Sequence, residues 1–122
     1  PYTQLIDIQA TKPFFVPKAE SALVDDGKGY RVYHYNRAEG SRDFEFFNSE
    51  LDTGASFTSE GHGTHTRESL LVTAGELVLV LETVEYVMAE GDFIQFDSSR
   101  PHTYINRGEV MTVFTNIVYY EG

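Results

Sequence analysis

Residues 62–106 read HGTHTRESLLVTAGELVLVLETVEYVMAEGDFIQFDSSRPHTYIN, and the fold follows from how this stretch is punctuated. Short apolar runs are cut at Gly75-Glu76, around Thr83 and at Gly91-Asp92, which is the grammar of strands and turns and not of helices. Polar clusters flank the runs. His62, His65 and Glu68 stand before them, and Arg100, His102 and Asn106 after them. Three of the four histidines lie in these clusters, so a ligand or a reaction is expected where the two meet.

Working outward, VMTVFTNIVYY (residues 110–120) continues the strand pattern, and SLLVT, ELVLVLE, EYVM, DFIQF and HTYIN precede it at short intervals. Upstream, DDGKG lies between ALV and YRVYHY and predicts a hairpin. In residues 30–35, Tyr30, Val32 and His34 face one way and Arg31, Tyr33 and Tyr35 the other. FEFFNSEL is a further strand, DTGA a turn and GHGTHTR a loop. Residues 1–20 carry three of the four prolines and read as an irregular arm that packs Phe14 and Phe15 onto the body, with a short edge strand around Leu5 to Ile8. Residues 21–122 then form a single all-β domain, an antiparallel sandwich or small barrel.

Composition narrows the function. A net charge of −10 and a pI near 4.6 argue against direct contact with nucleic acid or an anionic membrane, which need clustered Lys and Arg. No apolar stretch approaches the roughly 20 residues of a membrane helix. With no cysteine, disulfides and thiolate sites are excluded, and any metal must be held by His, carboxylate or water. No Ser nucleophile stands beside a base in a recognisable arrangement.

The spacing of the two clusters resembles the cupin family of small β-barrels. The family's first pattern is G-x5-H-x-H-x3,4-E-x6-G; here His62, Glu68 and Gly75 match, with Ser56 for the leading Gly and Thr64 for the second His. The second is G-x5-P-x-G-x2-H-x3-N; Gly91, His102 and Asn106 match, with Asp97 for the Pro and Ser99 for the Gly. Gly75 and Gly91 are fifteen residues apart (76–90), as in compact microbial members. HGTHTRESLLVTAGEL and EGDFIQFDSSRPHTYIN are more narrowly similar to the C-terminal sensor cupin of XRE-type helix-turn-helix transcription regulators.

That resemblance implies an antiparallel cupin (jelly-roll) barrel and a cytoplasmic, homodimeric sensor of a small-molecule effector. It further implies a DNA-binding domain upstream of Pro1, through which alone DNA would be contacted. His62 and Glu68 differ by six and share strand parity, and His102 comes from another strand. Together they make a two-His, one-carboxylate set for a divalent metal, zinc preferred, with Fe, Mn or Ni as alternatives. His65 has the opposite parity and is held in reserve.

Arg31, Tyr33, Arg100 and Tyr104 are candidates for binding an organic effector, an amino acid or other carboxylate, since guanidinium and phenol both suit that group. Leu70, Val72, Val78, Val80, Ile94 and Phe96 are expected to point inward. A plainer reading stays open: His102 and Asn106 hydrogen-bond neighbouring loops, Glu68 pairs with Arg67 or Arg100, the arginines are solvated, and His34 is an ordinary strand histidine. The alternative function is a free-standing metal-dependent cupin enzyme, an oxygenase or isomerase of small acids or sugars.

Overall fold

The computed structural model describes residues 13–35, 44–63 and 65–120. The edge strand expected at Leu5 to Ile8 lies outside them. Ten strands follow one 3-10 turn (Lys18–Glu20): β1 (Ala22–Asp25), β2 (Tyr30–His34), β3 (Phe44–Leu51), β4 (Ser56–Ser59), β5 (Thr66–Ala74), β6 (Leu77–Leu81), β7 (Val84–Met88), β8 (Phe93–Asp97), β9 (His102–Ile105) and β10 (Thr112–Tyr120). They form a six-stranded sheet, β1-β2-β3-β10-β5-β8, and a four-stranded sheet, β4-β9-β6-β7. The strand pairings are antiparallel.

The core lies between the sheets. Tyr30, Leu51, Leu70, Val72, Phe96 and Phe114 from the larger sheet meet Leu77, Leu79, Met88 and Tyr104 from the smaller. Along β10 alternation is strict: Thr112, Phe114, Asn116 and Val118 are buried, and the residues between them are not. In β5 the inward file is Thr66, Glu68, Leu70 and Val72, which brings a carboxylate into an otherwise apolar row.

The corners stand where the glycines predict them. Gly75 (φ +78°) links β5 to β6, and a Cβ there would lie 2.8 Å from the Met111 carbonyl oxygen, so only glycine fits. The hairpin at 25–29 joins β1 to β2, with Ala22 opposite His34 and Asp25 opposite Arg31.

Two expectations need correction, and one strand was not foreseen. Phe14 and Phe15 are 76% and 81% exposed and do not pack onto the body; in this proline-bracketed stretch, residues 13–17, no regular backbone pairing draws them in. β4 (SFTS), between the expected turn at 52–55 and the loop that starts at Gly61, was not singled out, because four residues with Phe57 as the one apolar side chain show no alternation. In β6 the residues packed in the core are Leu77 and Leu79, with Leu81 against them. Val78 is buried outside that cluster and Val80 is half-buried.

Candidate functional site

Three elements carry the site. Glu68 projects inward from β5, and its side chain is fully buried. His102, at the start of β9, is equally buried. His62 lies before β5 in the loop, not on a strand, so strand parity is not what places it. Its backbone N–H donates to the Ser98 carbonyl at 2.9 Å. Gly61 (φ +112°) backs against Ser99 so closely that a Cβ would come within 2.5 Å of the Ser99 oxygen. Ser98 returns N–H to the Thr66 carbonyl and its hydroxyl to Thr66 Oγ1 at 3.0 Å. These bonds clamp the first polar cluster onto the second.

His62 Nε2 lies 3.2 Å from Glu68 Oε1, and His102 Nε2 lies 3.7 Å from the same oxygen. One ligand atom from each of the three falls within 4.8 Å of the others. Tyr104 donates its hydroxyl to Glu68, 2.9 Å from Oε2 and 3.2 Å from Oε1. Its oxygen is also 3.1 Å from His102 Nε2. Asn116 donates through Nδ2 to Glu68 Oε2 at 2.6 Å and accepts from the Ser49 hydroxyl at 2.9 Å.

Two features of this donor set fit a cation. His102 Nδ1 is 2.8 Å from the Arg100 carbonyl, which can only accept, so Nδ1 carries the proton and Nε2 presents its lone pair to the cluster. Burial, with His62 adding to it, holds the His102 imidazole below its ordinary range, more than the Arg100 carbonyl and Glu68 raise it, which favours the neutral ring. In addition, no Lys or Arg among the described residues bonds to the buried Glu68 carboxylate, and a buried charge calls for compensation. Burial, then the Glu68 charge, pushes the Tyr104 phenol well above its usual range.

Beside the cluster lies a cavity of about 260 Å³, just below the usual size of small-molecule sites. Its walls are chiefly apolar (Val24, Val32, Phe47, Phe57, Val118), with Tyr30, Ser49, Ser59, His62, Glu68, Tyr104 and Asn116 turned into it. Asp26 completes the lining. Among the described residues, the only full charges there are carboxylates, and no Lys or Arg lines it.

The structure therefore brings together His62, Glu68, His102 and Tyr104 and leaves other candidates outside. Arg31 is bound to Glu50 at 2.9 Å and Asp52 at 2.8 Å on the opposite face from Tyr30 and Val32. Tyr33 lies under Lys18, whose ammonium is 4.5 Å from the ring centre. Arg100 pairs with Glu82 at 2.8 Å in an exposed position.

His65 is exposed in a left-handed turn (φ +61°) and does not join the cluster. Asn106 follows the plainer reading: its side chain ties the Leu51 and Val110 carbonyls and the Gly108 N–H together. His34 sits 3.3 Å from Glu45 and stacks on Phe47. Asn116 and Ser49 were not singled out from sequence. The signal was present in β10, where an Asn interrupts an inward file of Phe and Val.

A two-sheet β-barrel with a His-His-Glu cluster at the wall of a mostly apolar cavity defines the class. The chain belongs to the cupin family: the cupin domain model matches residues 47–118. No curated protein matches the sequence. Among solved structures, the cupin domain of an XRE family transcriptional regulator from Enterobacter cloacae superposes with a TM-score of 0.73 at 21% identity, covering 78% of this chain and 100% of that one.

An HTH_3 family transcriptional regulator from Vibrio cholerae gives 0.74 at 22% identity, covering 86% of this chain. A sugar phosphate isomerase of the cupin superfamily from Silicibacter pomeroyi gives 0.62 at 27% identity, covering 76% of this chain. The chain spans 58% and 60% of the lengths of those two. Among the described residues no helix is long and apolar enough to cross a membrane.

Proposed function

We infer that this chain is the effector-sensing domain of a transcription regulator. In this reading a divalent metal, zinc preferred, is held by His62, Glu68 and His102. The metal supplies positive charge at the cavity wall, while Tyr104 and Asn116 orient Glu68 and the Arg100 carbonyl orients His102. The observation that carries the reading is the mostly apolar cavity directly beside the cluster. The likeness to regulator cupins from Enterobacter cloacae and Vibrio cholerae agrees with it.

The effector is a small metabolite with an apolar body and one polar end. Because Asp26 and Glu68 are the only fully charged groups among the described lining residues, the carboxylate of an amino acid or similar acid finds its counter-charge in the metal. Binding shifts the arrangement of linked DNA-binding domains in a cytoplasmic homodimer by favouring one of two states. Exposed apolar surface including Phe14 and Phe15 is available for that pairing.

The test is calorimetric titration of metal-loaded and chelator-stripped protein with a panel of amino acids and other small carboxylates. Saturable binding to the loaded form alone is expected. If no panel member binds and none changes the DNA affinity of a full-length regulator carrying this domain, the sensor reading fails.

A metal-dependent enzyme is the second reading. It is favoured by the cavity-facing edge of the cluster, where the His62 side chain is 29% exposed and would leave coordination positions for a substrate. A fold neighbour from Thermotoga maritima is described as a predicted oxalate decarboxylase, at 19% identity and a TM-score of 0.71, covering 88% of this chain and 100% of that one. Turnover of a panel acid or sugar, followed by NMR, would decide for it.

A further inference from the structure

The geometry points to Tyr104 as a fourth metal ligand, its phenolic oxygen filling the place left by the second histidine of the family pattern, where this chain has Thr64. This rests on the metal reading above and adds a donor to it.

Distances around the cluster carry the inference. Metal bonds of about 2.0–2.2 Å put neighbouring ligand atoms about 2.8–3.6 Å apart, the short end in octahedral and the long end in tetrahedral sites. The Tyr104 oxygen stands 3.1 Å from His102 Nε2 and 3.2 Å from Glu68 Oε1. His62 Nε2 stands 3.2 Å from Glu68 Oε1, and His102 Nε2 3.7 Å. All four separations are close to the edges of one coordination polyhedron, so Tyr104 stands at ligand-to-ligand distance from both Glu68 and His102.

Proton bookkeeping agrees. Tyr104 has one hydroxyl proton, and His102 Nε2 presents a lone pair because Nδ1 donates to Arg100. The Tyr104 oxygen has three acceptor atoms within 3.2 Å, Glu68 Oε1 and Oε2 and His102 Nε2, and a single proton to share among them, so lone pairs are left facing one another. A cation there turns that repulsion into two bonds. On coordination the O–H bond of Tyr104 is replaced by an O–metal bond and the proton leaves to water. A divalent ion with the Glu68 carboxylate and one phenolate gives a cluster of zero net charge, the arrangement a buried site favours.

The test uses metal alone. Cu(II) added to the stripped protein is expected to give a visible phenolate-to-copper charge-transfer band, absent in Tyr104→Phe and retained in Tyr30→Phe, whose ring lines the same cavity. Zn(II) affinity by calorimetry is expected to fall about 10- to 100-fold or more in Tyr104→Phe. Should Tyr104→Phe not fold, resonance Raman of the parent decides, since phenolate ring modes enhanced in the band require the bond. Metal bound by the parent with no such band, and with equal zinc affinity in Tyr104→Phe, overturns the Tyr104 assignment alone. No metal bound by the parent overturns both this inference and the metal reading.

Discussion

His102 donates through Nδ1 to the main-chain carbonyl of Arg100 at 2.8 Å, and this one bond determines what its other nitrogen can do. With the Nδ1 proton committed, Nε2 is left as an acceptor facing Glu68 and Tyr104. In the metal-free protein near neutral pH, nitrogen NMR of the His102 ring is expected to show the Nδ1–H tautomer. Finding the Nε2–H tautomer would remove the lone pair on which metal binding depends.

Asn116 links Glu68 to Ser49 inside the barrel. Asn116→Ala leaves a buried carboxylate oxygen and a buried hydroxyl each short of a partner, which costs about 1–3 kcal/mol. It also frees Glu68 to turn, lowering metal affinity about 10- to 100-fold. Chemical denaturation and metal titration of the variant check both effects, and an unchanged denaturation midpoint would show that the bond holds nothing in place.

Burial raises the Tyr30 phenol well above its ordinary range, with the Ser49 hydrogen bond pulling down against it and the Glu68 and Asp26 charges adding smaller upward pushes. Tyr104 is raised in the same direction. Both groups are favoured protonated in the folded state, so their contribution is complete below the unfolded phenol value of about 10 and is lost as pH rises above it. Stability should therefore fall from about pH 10 upward, less steeply in Tyr30→Phe. Denaturant midpoints across alkaline pH measure this; a slope identical in parent and variant would contradict it.

Gly75 and Gly91 both have positive φ, +78° and +91°, but their surroundings differ. A Cβ at Gly91 meets nothing within 4 Å, whereas at Gly75 it strikes the Met111 carbonyl and the Thr112 Cα. Gly91→Ala should cost about 1 kcal/mol through backbone strain alone. Gly75→Ala should cost more, because backbone must also move. Equal denaturation midpoints for the two variants would refute the close approach at Gly75.

Much of the barrel was legible because its strands are short, apolar and separated by glycines with a structural duty. The same rules failed where the sequence carries no period. In β6 all five residues are apolar, so alternation cannot say that Leu77 and Leu79 face the core in place of Val80. In β2 alternation separated Arg31 and Tyr33 from Tyr30 and Val32, but it could not say which set faced inward; pairing of Arg31 with Glu50 and Asp52 decides it. The grouping of His62, Glu68 and His102 was readable by spacing. The reason His62 joins it was not, since a backbone bond to Ser98 and the closeness of Gly61 to Ser99 are tertiary contacts.

The most direct measurement is the zinc content of the purified, zinc-equilibrated protein, by elemental analysis, beside that of His102→Ala and Glu68→Gln. About one zinc per chain in the parent, and its loss in both variants, is the expected result for a His62, Glu68 and His102 centre. Zinc bound equally by parent and His102→Ala, or by none of the three, would contradict it.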